Sequence, residues 1–85
     1  MANRSQQQVL TAEEISRPFQ DEMADRFPPV MAIDQACELL QIAPSTLYEW
    51  KSKGRLSGCY RKRGKHLLFW RDKLIDTIFN GKEWT

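Results

Sequence analysis

The chain has 85 residues, 41% of them apolar and 11% aromatic, which suits one small domain and excludes both a multidomain enzyme and a wholly disordered chain. Its net charge of +2 is unevenly spread: residues 1–28 carry −2, residues 29–85 carry +4, and residues 51–73 hold nine basic groups against one acid, Asp72, so that stretch calls for a polyanionic partner. No run approaches ~20 consecutive apolar residues, as a membrane helix needs, and Met1 to Gln8 lack the apolar region of a secretory signal, so a cytoplasmic protein is expected.

Residues 1–10 are polar and Gln-rich, and disorder is expected there. Thr11-Ala12-Glu13-Glu14 has the form of a capping box, but a helix started there meets Pro18 within two turns; the alternative start caps on Ser16 or Arg17 with Pro18 in the first turn. Phe27-Pro28-Pro29 ends any such helix and reads as a linker. From Ile33 the pattern sharpens. Ile33, Ala36, Cys37 and Leu40 recur at i, i+3, i+4 and i+7, which predicts a helix over 33–40. Gln41-Ile42-Ala43 breaks it, and Pro44-Ser45-Thr46 opens a second helix that turns Leu47 and Trp50 inward and closes at Gly54.

Two short apolar-aromatic runs then flank Arg63-Gly64-Lys65, which predicts a β-hairpin with residues 58–62 paired to 66–70. A last helix is expected from Asp72 to Phe79, burying Leu74, Ile75, Ile78 and Phe79 and closed by Asn80-Gly81. Trp84 lies in the tail, a candidate contact point unless it folds back on the core. The two cysteines, Cys37 and Cys59, stand alone beside a single histidine, which supplies neither a zinc site nor a disulfide expected in a reducing compartment. No metal or other cofactor is expected. Nor is an enzyme, because the chain has no Gly-rich phosphate loop, nucleophile elbow or acidic metal cluster.

The fold class that follows is mainly α with a small β-hairpin: a winged helix-turn-helix of three helices and a two-stranded wing. The expected division is a flexible or weakly helical arm over 1–28, a DNA-binding domain over 29–81 and a tail over 82–85. In a helix-turn-helix the second helix enters the major groove, about 12 Å wide, and its first residues meet base edges. The candidate recognition residues are Pro44, Ser45, Thr46, Tyr48, Glu49, Lys51 and Lys53. The candidate wing residues are Arg61, Lys62, Arg63, Gly64, Lys65 and His66, with Gly64 making the turn and the cations reaching phosphates or an adjacent minor groove. Leu40, Ile42, Leu47 and Trp50 are assigned to the core, and Ser45 could serve as a helix cap.

Residues 30–80 resemble the excisionase-type winged helix-turn-helix family, related to the MerR DNA-binding head. The likeness is carried by Met31 to Leu40, Ile42 to Trp50, Gly54-Arg55-Leu56, the Arg63-Gly64-Lys65 turn and a helix beginning near Asp72. It implies an excisionase, or recombination directionality factor: a small protein that binds repeated sites on double-stranded DNA, bends it and directs a tyrosine recombinase (an integrase) towards excision of a mobile element. Cooperative self-association on DNA, and association with the nucleoid when bound, come with that implication. The alternative is a prophage or mobile-element transcriptional regulator using the same surface, and a third reading is a protein-interaction module with the helix-turn-helix as scaffold. Three positions depart from the family pattern: Ala32 replaces a hydroxyl cap, Gln41 a glycine and Glu49 a basic residue.

Overall fold

The structure, a computed structural model, describes residues 9–82 and Trp84. The disorder expected over residues 1–10 falls, for 1–8, outside the described residues, as do Glu83 and Thr85 of the tail. Leu10, the last residue of that stretch, is held: its N–H donates to Asn80 Oδ1 at 2.8 Å and its carbonyl accepts from Asn80 Nδ2 at 3.0 Å.

The first described helix, α1 (Ala12–Ser16), begins at the Thr11 capping box, with Glu14 N–H donating to Thr11 Oγ1 and Thr11 N–H to Glu14 Oε1. It stops short of Pro18, whose ring and missing N–H forbid a longer ladder, so of the two starts the sequence allowed the Thr11 cap is the one formed. Helix α2 (Glu22–Arg26) follows and delivers Phe27 into the core, where it is 4% exposed. Phe27 therefore does more than end a linker. Arg71 donates to its carbonyl from Nη1 at 2.8 Å, and Phe19 meets its ring edge-on at 6.5 Å.

Helices α3 (Ile33–Leu40) and α4 (Pro44–Ser52) form the helix-turn-helix, with bounds close to those expected. Both close in Schellman motifs. Ile42 N–H reaches Cys37 O and Gln41 N–H reaches Glu38 O; one helix on, Arg55 N–H reaches Trp50 O and Gly54 N–H reaches Lys51 O. The left-handed position is Gly54 in α4 (φ 78°) but Gln41 in α3 (φ 57°). Residues 60–70 form the hairpin of β2 (Tyr60–Arg63) and β3 (His66–Trp70), and α5 (Arg71–Asn80) completes the chain of elements.

The hairpin register pairs Tyr60 with Phe69 and Arg63 with His66, which leaves Gly64-Lys65 as a two-residue turn, with Gly64 at positive φ. The first strand therefore starts two residues later than the expected 58–62, because Gly58 (φ 87°) lies in the turn that precedes it. A strand the sequence did not predict, β1 (Val30–Met31), pairs antiparallel with β3, giving the order β1-β3-β2. The fold is a winged helix-turn-helix whose wing hairpin gains a third strand, with two short helices ahead of it.

The core lies where one face of this sheet meets the helices: Met31 and Phe69 from the sheet, Ala36 and Cys37 from α3, Leu47 from α4, Leu74 from α5, and Phe27, Leu56 and Cys59 from the connections. Both cysteines are free and buried. Phe79 departs from expectation and is 65% exposed. It lies one turn beyond Ile75, where α5 has run past the core, and lines the rim of an apolar groove with Leu10, Phe19 and Leu39. No described helix is long and apolar enough to cross a membrane.

Candidate nucleic-acid interface

Helix α4 has two faces because its apolar residues recur at helical spacing. Leu47 is buried and Trp50 packs against the core, while Ser45, Tyr48, Glu49 and Ser52, at i, i+3, i+4 and i+7, form an exposed stripe. Pro44 and Lys53 are exposed as well; Thr46 and Lys51 are half-buried. The N-cap is Ala43, in extended backbone, with Pro44 at the first helical position. Ser45 sits one residue further in, so it is not the cap and its hydroxyl stays on the surface.

The acid on this helix is not isolated. Glu49 Oε2 lies 3.0 Å from Lys53 Nζ, an i,i+4 pair exposed to solvent. The pair offsets the repulsion a lone carboxylate would exert on a phosphate, at little gain in fold stability. Lys51 reaches the other way, its ammonium 5.2 Å above the Tyr60 ring at the start of β2. That contact ties the end of α4 to the root of the wing. Among the described residues no hydrogen bond, ion pair or cation–π contact joins Ser45 or Thr46 to the wing.

In the wing, strand alternation decides which way each side chain points. Tyr60 and Lys62 lie opposite Phe69 and Leu67, on the core side of the sheet; Arg61 and Arg63 lie opposite Leu68 and His66, on the outer side. All six residues from Arg61 to His66 are exposed. Arg61 Nη1 donates to Tyr60 O and Arg63 Nη1 to Lys62 O, each at 2.9 Å, so both guanidinium groups lie along the strand and cap its carbonyls. Among the described residues Arg61, Lys62, Arg63 and Lys65 have no acidic partner, whereas Arg17, Arg26, Lys53 and Arg71 are all paired. Four unpaired cations within five positions repel one another, and that cost is recovered only against an anion.

Arg55 was not among the sequence candidates, and Trp84 was one only if it did not fold back on the core; it does fold back, and both touch this region. Arg55 lies over the Trp84 ring, and Trp84 meets Trp50 of α4 edge-on. A charged residue just past a helix C-cap and an aromatic past the last helix were the available signals, but their meeting depends on non-local packing.

The family model described as a helix-turn-helix domain matches residues 30–76, from β1 into α5. Neither the curated proteins nor the solved structures gave a match.

Proposed function

Because the chain belongs to the helix-turn-helix domain family, whose signature unit binds DNA, we propose that it is an excisionase-type architectural protein: it grips duplex with α4 and the wing, binds repeated sites, bends the DNA and directs a tyrosine recombinase towards excision. The observation that carries this reading is the wing, four cations without acidic partners beside a helix whose exposed stripe is small, polar and aromatic. In the proposed grip Ser45, Thr46, Tyr48 and the Glu49–Lys53 pair face base edges, with Pro44 setting the close approach. Lys51 and the wing residues Arg61, Lys62, Arg63, Lys65 and His66 face phosphates or a narrow minor groove, and Gly64 keeps the turn tight. One such module gives modest specificity, so neighbouring copies on repeated sites would raise it.

Binding is tested by duplex titration against salt. Neutralising about six phosphates gives a log-log slope near −5. Replacing Arg61, Lys62, Arg63 and Lys65 with alanine is expected to weaken binding to every sequence and to flatten that slope; unchanged affinity removes the wing from the interface, and a flat slope in the unaltered chain favours a protein-interaction scaffold. The recombination role is tested separately, by excision of a mobile element with and without the protein. Footprints without any effect on excision would make it a transcriptional regulator.

A further inference from the structure

Trp84 lies beyond the matched residues 30–76, yet it reaches back to the recognition helix. Its ring meets Trp50 of α4 edge-on, with centroids 4.8 Å apart and planes at 74°. Its indole N–H donates to the carbonyl of Thr77 in α5 at 2.9 Å. The guanidinium of Arg55, in the turn that leaves α4, sits 5.3 Å from the Trp84 ring centroid. One side chain therefore touches the last turn of α4, the segment after it and the last turns of α5.

Gly81 is the residue that lets the chain fold back this way. A Cβ there would come within 2.3 Å of Thr77 O and 2.8 Å of Trp84 Nε1, closer than real Cβ contacts allow. The glycine's φ is ordinary, at −69°, so its requirement is space and not backbone freedom. Thr77 is anchored in turn, its hydroxyl 3.1 Å from the buried Cys59 Sγ.

We propose that Trp84 is a positioning residue for DNA recognition: packed against Trp50, Arg55 and Thr77, it fixes the pitch of α4 against α5 and so decides how well α4 discriminates between base sequences. The proposal rests on the DNA-binding reading above. Base readout needs side chains placed to within a fraction of an ångström, whereas phosphate attraction tolerates displacement. Loosening α4 should therefore lower discrimination far more than general affinity.

The test uses Trp84→Ala, Trp84→Phe and Gly81→Ala in the 85-residue chain. Hydrogen exchange at α4 amides is read without DNA. Discrimination is read as the affinity for the winner of a randomised-duplex selection over that for mixed-sequence duplex. Trp84→Ala is expected to speed exchange in the last turn of α4 and to lower the discrimination ratio roughly three- to tenfold, the loss of one aromatic contact set. Mixed-sequence affinity should stay nearly constant. Trp84→Phe should restore most of the ratio, since a ring still meets Trp50 and Arg55. Gly81→Ala should reproduce Trp84→Ala, and the double variant should be no worse than either. Should Trp84→Ala fail to fold, Gly81→Ala gives the same reading, with Trp84→Phe as the control that keeps the ring. Unchanged exchange and unchanged discrimination overturn the proposal. If the unaltered chain selects no duplex, the DNA reading fails instead, and exchange at α4 still decides whether Trp84 holds that helix.

Discussion

Arg71 is the one charged residue among the described residues that is buried, at 6% exposure. Its Nη1 donates to Phe27 O, its Nε to Asp72 Oδ1 at 2.8 Å, and its guanidinium lies 4.1 Å from the Phe19 ring centroid. Its backbone N–H also donates to Pro29 O. Arg71→Met keeps the stem but leaves Phe27 O without its donor, so a loss of about 2–3 kcal/mol is expected in urea unfolding. Arg71→Lys should not rescue it, because an ammonium cannot make the planar double contact. Cys59 offers a second residue-scale test. Burial is the main cause that pushes its thiol above the usual range, outweighing the Thr77 hydrogen bond and Lys73, and Cys37 shifts the same way for the same reason. The folded state thus keeps the proton longer than the unfolded chain, whose thiols ionise near about 8.5. Stability from this source is complete below that pH and is lost as pH climbs through the raised folded value. Unfolding midpoints at neutral pH and at about pH 10 should differ less in Cys59→Ala than in the unaltered chain; equal differences would remove the thiol as the cause.

At the scale of elements, the turn between α3 and α4 holds the clearest comparison. Two Schellman closures stand in sequence, and only the first places a non-glycine residue at the left-handed position, Gln41. Gln41→Gly is expected to stabilise the protein by about 1 kcal/mol, raising the melting midpoint by roughly 4–8 °C. A lower midpoint would mean that the exposed Gln41 side chain makes a contact its backbone cost conceals. Helices α3 and α4, Gly54 and the hairpin were legible because each is written in local spacing: Ile33, Ala36, Cys37 and Leu40 on one stripe, and Gly64 between two apolar runs. Strand β1 was not. Two residues after Pro28-Pro29 carry no periodicity, and Val30–Met31 becomes a strand only because β3 offers it a free edge. On the candidate interface the exposed stripe of α4 was readable, and the i,i+4 spacing of Glu49 and Lys53 is the local signal for the ion pair they form. The Lys51–Tyr60 contact spans two elements and left no local trace.

For the molecule as a whole, charge and packing make opposite forecasts about the segment ahead of the family match. Residues 1–28 carry a net −2, so by electrostatics alone their removal should strengthen attraction to DNA. The charges on the segment's described residues are solvent-exposed, and at physiological salt, with screening over about 8 Å, each contributes little. Packing works against removal. Ile15 is 5% exposed and Phe27 4%, Leu10 and Asn80 exchange hydrogen bonds, and Arg26 pairs with Glu38 on α3. Losing one large buried aromatic costs about 3–5 kcal/mol on its own, and removal would also uncover the faces of Leu74 and Ile75 and leave Arg71 without its carbonyl partners. A domain this small has about 5–15 kcal/mol in hand. Packing therefore wins: a chain beginning at Val30 should lose its cooperative urea transition, and whatever DNA affinity it keeps should come from folding on the duplex, with a weaker apparent Kd despite the more favourable charge. Phe27→Ala, which changes no charge, should move stability the same way by about 3–4 kcal/mol. A truncated chain that unfolds at an unchanged urea midpoint would show that residues 30–85 carry the fold alone and that the residues ahead of them merely rest on it.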